Sequence, residues 1–150
     1  MKLLETKKEF IVEEDRDFDS PHASTLIRLP NGEILAAWSG GSWEKSPDVA
    51  IWMSRRTADG WQRPYIVADT RGIALWNPVL FRRKDGTVFL FYKSGPDCSY
   101  WYTRCRISTD NCRTWGKAFD LVPGDVGGRG PVRNKPIYLS ANHFGELAFR

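Results

Sequence analysis

Hydrophobic and polar positions alternate in short runs separated by turn residues, and no stretch keeps the period of an amphipathic helix. Thr25–Leu29 and Glu33–Trp38 flank Asn31-Gly32, and Val79–Arg82 and Thr87–Tyr92 flank Asp85-Gly86. Asn-Gly and Asp-Gly between alternating runs predict hairpins with two-residue type I′ turns, which need φ > 0 at both central residues. A third strand is predicted over Val49–Ser54 and Tyr102–Ser108, and a fourth over Arg63–Ala68 and Lys117–Val122.

These runs repeat. Aligning "STLIRLPNGEILAAWSGG" with "PVLFRRKDGTVFLFYKSG" sets Gly32 against Gly86, Trp38 against Tyr92 and Gly41 against Gly95, each 54 residues apart. The same offset carries Ser54 onto Ser108 and Trp61 onto Trp115 without a gap. A third copy begins in "NKPIYLSANHFGELAF", where Gly145 follows Gly86 by 59. A four-stranded antiparallel unit at this period predicts an all-β chain built from β-propeller blades, with two meanders packed as a sandwich as the alternative. The expected organisation is a lead-in strand or extension over residues 1–19, one blade over about 20–70, a second over about 75–124 and the start of a third over about 133–150. Two blades and part of a third do not close a ring of roughly four to eight. The chain is therefore expected to be the N-terminal portion of a longer protein, with the remaining blades as its partner.

Composition supports a packed core: of 150 residues 41% are hydrophobic and 13% aromatic, with seven Trp. Net charge is +4 and the isoelectric point about 9.1. The basic residues are scattered, which leans towards acidic ligands and supplies no nucleic-acid-binding arm. "MKLLETKKEF" has no apolar core of a signal peptide, and no apolar run is long enough to span a membrane, so no membrane association is expected and the cytoplasm is the expected compartment. Cys98, Cys105 and Cys112 are spaced by seven with no CxxC pair, which reads as free thiols rather than zinc ligands. Two histidines and scattered carboxylates form no metal-ligand set, and no cofactor is implied.

One stretch is more specific. "STDNCRTW" (108–115) resembles the Asp-box of bacterial neuraminidase repeats, Ser-x-Asp-x-Gly-x-Thr-Trp, through Ser108, Asp110, Thr114 and Trp115. Cys112 stands where the pattern has Gly, so a distorted turn is expected. "SRRTADGW" is a degenerate earlier copy that keeps Ser54, Gly60 and Trp61. With "HASTLIRLPNGEILAAWSGG", "PDVAIWMSRR", "WNPVLFRRKDGTVFLFYKSGP" and "NKPIYLS", the chain resembles the BNR-repeat-like branch of the sialidase superfamily over roughly residues 20–140. The resemblance implies a six-bladed propeller, an Asp-box with a structural role between the third and fourth strands of a blade, and exo-glycosidase hydrolysis of a terminal acidic sugar on the opposite face.

On a blade that face carries the entry to the first strand and the loop between the second and third, here Pro21–Ser24, Ser39–Asp48, Arg71–Asn77, Ser94–Trp101 and Gly124–Lys135. Sialidases place a carboxylate-binding Arg at the first entry. His22 occupies that position, and a His lacks the bidentate fork but transfers protons near neutral pH. Asp48 is the nearest match to the family's acid/base Asp, with Glu44 as the fallback in the same loop. Proton donation would need its carboxyl pKa raised by partial burial. Trp43, Trp76 and Tyr100 are candidate sugar platforms beside Trp101, while Asn77, Lys93, Arg133, Asn134 and Lys135 supply polar and cationic contacts to an acidic glycan. Arg55 and Arg56 are expected on the surface towards the Asp-box side. Competing readings are a polysaccharide lyase that cleaves uronate glycans by β-elimination, with His22 in proton transfer, and a non-catalytic carbohydrate-binding propeller.

Overall fold

The computed structural model describes residues 6–12, 17–138 and 147–148. The described residues fold into antiparallel sheets with no helix. The first sheet joins β1 (Ser20–Arg28), β2 (Ile34–Gly41), β3 (Ala50–Thr57) and the short β4 (Gly60–Trp61), with β5 (Tyr65–Ala68) also paired to β3. The second joins β6 (Leu75–Arg82), β7 (Val88–Ser94), β8 (Tyr102–Ser108) and β9 (Phe119–Asp120) in sequence order. β10 (Ile137–Tyr138) pairs with β11 (Leu147–Ala148). The fourth strands are shorter than their hydrophobic runs suggested.

The 54-residue repeat is a repeat of register in the first two strands of each sheet; the third strands are offset by 52 residues, so Arg56, not Ser54, stands in the register position of Ser108. Thr25 faces Ala37 in the first sheet and Val79 faces Phe91 in the second; His22 faces Ser39 and Trp76 faces Lys93. Each first strand carries a bulge between these pairs, and each bulge holds one left-handed residue, Ala23 (φ 56°) and Asn77 (φ 48°). The bulge recurs although its residues differ, so the blade geometry sets it rather than a side-chain preference.

Both hairpin turns differ from the type I′ expectation. Only Gly32 (φ 86°) and Gly86 (φ 90°) are left-handed, whereas Asn31 and Asp85 are not. The Gly32 N–H donates to Leu29 O at 3.0 Å, and the Gly86 N–H to Arg83 O at 3.1 Å. Each connection is a type I turn closed by a left-handed Gly, the three-residue form. Pro30 presets φ for the second turn position, and the Asn31 and Asp85 side chains accept from the N–H two residues on, at 3.3 and 3.0 Å. Gly41 and Gly95 repeat for a different reason: a Cβ on either would meet the returning chain, 2.8 Å from Val49 Cα and 2.6 Å from Trp101 Cα.

The main core lies between the two sheets. Ile27, Leu35, Ala37, Ile51 and Met53 of the first pack with Leu75, Leu80, Val88, Leu90 and Tyr92 of the second. The opposite face of the first sheet buries Trp38 and Trp52 under Phe18, with Ile11 and Val12 alongside. The far face of the second buries Val79, Phe81, Phe91 and Cys105, and Phe81 meets Tyr138.

Candidate functional site

The Asp-box turn forms where the sequence pattern placed it, between β8 and β9. Asp110 accepts hydrogen bonds from Ser108 Oγ (2.7 Å), the N–H groups of Arg113 and Thr114 (3.0 Å each) and Thr114 Oγ1 (2.6 Å). These donors, the Thr114 side chain foremost, hold its carboxyl well below the usual carboxylate range. Asn111 and Cys112 are both left-handed, at φ 57° and 60°. Cys112 thus takes the conformation its Gly counterpart would take, so the turn keeps its hydrogen bonds instead of distorting. Burial of the thiol, 1% exposed, pushes its pKa up to about 12.

Two arginines tie this turn to the first sheet. Arg55, expected at the surface, is 9% exposed. It pairs with Glu33 and donates through Nη2 to Asn111 O (2.8 Å) and Cys112 O (3.0 Å). Arg106 donates to Val67 O and, through Nε and Nη2, to Gly116 O (2.8 Å) and Trp115 O (3.2 Å). Sequence reading missed the links between sheets because Asn111 and Cys112 lie 56 and 57 residues from Arg55, and Val67 lies 39 from Arg106.

At the strand-entry end, His22 sits at the β1 bulge, half-buried, beside a small cavity of about 240 Å³ that Trp38, Pro21, Ser24, Ile11 and Val12 also line. Its Nε2 is buried without a hydrogen-bond partner, as are Trp38 Nε1 and Ser39 Oγ. Asp48 is exposed and accepts from Ser42 Oγ (2.5 Å) and the Ser42 N–H (3.1 Å). The hydroxyls of Ser42 and Ser46 lower its pKa, the reverse of the raised value a resting proton donor needs. A serine-lined loop solvates the carboxylate instead of stripping water from it. Asp48 also borders a different cavity from His22, beside Asp69 and Arg71.

The other candidates separate into open and enclosed groups. Trp43 and Tyr100 are 64% and 63% exposed, and Arg133 and Asn134 are also exposed. Trp76 is enclosed: it donates from Nε1 to Gly95 O at 2.8 Å and meets the Trp101 ring edge-on. Lys93 is fully buried, with its ammonium bonded to Thr103 Oγ1 and Gly128 O and lying 5.6 Å from the centre of the Trp101 ring. Desolvation lowers its pKa. Neither side chain is open to a ligand, because the Gly-rich 124–130 segment and Trp101 close over them. Asn77 donates to Val132 O at 3.4 Å. Lys135 is an exposed residue, but its amine donates to Thr25 Oγ1 (3.2 Å) and Leu80 O (2.7 Å), and desolvation lowers its pKa.

The BNR repeat-like domain matches residues 32–146. Among solved structures, a protein of unknown function from Dyadobacter fermentans is similar at 19% identity and TM-score 0.51, over 67% of this chain and 36% of that one. An alpha-L-arabinanase from Penicillium chrysogenum, complexed with arabinobiose, matches at 20% identity and TM-score 0.49, over 67% of this chain and 33% of its own. The chain thus spans about a third of the length of these structures. No curated protein matches it. The antiparallel sheets and the domain match agree on an all-β, propeller-type architecture.

Proposed function

The chain belongs to the BNR repeat-like domain family, and on that premise we propose that it is part of a carbohydrate-active propeller whose complete form cleaves a glycosidic bond at a terminal acidic sugar, by hydrolysis. The observation that carries this reading is His22. A half-buried imidazole at a strand-entry bulge, with a buried ring nitrogen left unpaired, is costly in a fold that needs only packing there. An unpaired imidazole nitrogen suits proton transfer or a hydrogen bond to a sugar oxygen. The net charge of +4 favours an anionic substrate, and the exposed Trp43, Arg133 and Asn134 supply stacking and polar contacts. In this scheme Asp48 acts as an ionised carboxylate, orienting a hydroxyl or accepting a proton.

His22 also favours a second reading. An unpaired imidazole nitrogen fits abstraction of the proton α to a uronate carboxylate, and so β-elimination. Product analysis on the full-length protein distinguishes the two. Hydrolysis of a sialyl reporter releases the free sugar, whereas elimination leaves an unsaturated uronate with a new ultraviolet absorbance. Turnover of neither substrate would leave a carbohydrate-binding propeller and overturn the proposal.

A further inference from the structure

A second cleft lies away from His22. It measures about 550 Å³ and opens between the two sheets at their outer edge, within the usual size range of small-ligand sites. Tyr102 and Arg104 alternate on the same face of β8, and Asp120 on β9 pairs with Arg104, its Oδ1 lying 2.8 Å from Arg104 Nε. Tyr100 and Ile73 rise from the flanking loops, 63% and 41% exposed, and Lys45 approaches from the first sheet with a left-handed backbone (φ 76°).

The fold does not need this group of side chains. One repeat earlier, the pair in the equivalent register is Trp52 and Ile66, and the first sheet forms with them. The charged pair is only partly covered, with 30% and 42% of the two side chains exposed, so as a surface ion pair it adds little to stability. Two tyrosine rings beside a carboxylate and a guanidinium make a recognisable combination. The rings offer apolar faces with polar tips, the carboxylate accepts hydrogen bonds and the guanidinium donates them.

We propose that this inter-sheet cleft is an oligosaccharide-binding site for an uncharged sugar segment. The C–H face of a pyranose lies on Tyr100 or Tyr102, and neighbouring hydroxyls bond Asp120 and Arg104. The carboxylate and guanidinium offset one another, which suits hydroxyls better than a carboxylate-bearing sugar. This site goes beyond the His22 reading, and its cleft shares no lining residue with the His22 cavity.

Calorimetric titration of the full chain with xylotetraose and with tetragalacturonate tests it. The neutral oligomer binds, and Tyr100→Ala and Asp120→Asn each weaken it at least tenfold while the melting temperature of Tyr100→Ala stays at the wild-type value. His22→Ala leaves this affinity unchanged. Binding of tetragalacturonate alone, binding of neither, or unchanged xylotetraose affinity in Tyr100→Ala overturns the proposal. Xylotetraose binding without turnover of any acidic substrate leaves the site standing and removes the His22 reading instead.

Discussion

Arg55 donates to the backbone carbonyl of Cys112 at 3.0 Å, from the third strand of one sheet to the Asp-box turn of the next. The same nitrogen serves Asn111 O, and the other terminal nitrogen pairs with Glu33. One guanidinium thus joins the turn after β1, the strand β3 and the hallmark turn of the second sheet. The turn's structural role includes docking between blades as well as closing its own hairpin.

Replacing Arg55 with Met keeps the aliphatic stem and leaves two carbonyl groups and a part-buried carboxylate without their donor. The expected loss is about 2–3 kcal/mol of unfolding free energy, since the bonds are charge-assisted and largely desolvated. Urea denaturation measures it. Arg56→Met, which removes a more exposed pair with Glu9, should fall well below that.

The cysteines give a reactivity prediction. Cys98 is exposed, while Cys105 and Cys112 are buried with pKa values pushed up to about 12 by desolvation. A thiol reagent at neutral pH should titrate one group in the native chain and all three after denaturation. The linkage follows from the sign of the shift. Both thiols have folded pKa values above their ordinary 9.0, so their contribution to stability is intact below that pH and is lost as pH rises towards about 12.

Asp110 works in the opposite direction. Its folded pKa lies below the ordinary 3.8, so its contribution is present above that value and is lost as pH falls through the lowered one. Asp110→Asn should lower the melting temperature near neutrality, because Asn accepts through one oxygen where Asp110 serves four donors. It should also flatten the acid side of the stability curve. Thermal melts from neutral to strongly acidic pH check both; parallel wild-type and variant curves would show that the turn does not depend on the ionised carboxylate.

The repeat was legible because it rests on Gly and aromatic positions that the geometry dictates: Gly41 and Gly95 where the returning chain crosses, Gly32 and Gly86 where φ is positive. The turn type was misread because Asn31 and Asp85 act through side-chain hydrogen bonds rather than through a left-handed backbone. The bulges at Ala23 and Asn77 leave no shared residue to detect. The candidate site was legible only as a set of loops. Whether a side chain there is open depends on distant covering groups: Gly128 and Trp101 over Lys93, and Ser42 beside Asp48.

We propose that His22 carries the chemistry of the complete propeller. The most direct test is the turnover of His22→Ala in the full-length protein, on whichever acidic glycan the wild type cleaves, with the melting temperature measured alongside. Loss of a proton-transferring group costs roughly 100-fold or more in rate. A loss of about that size is expected, in a variant that melts with the wild type. Turnover within a few-fold of wild type would contradict it.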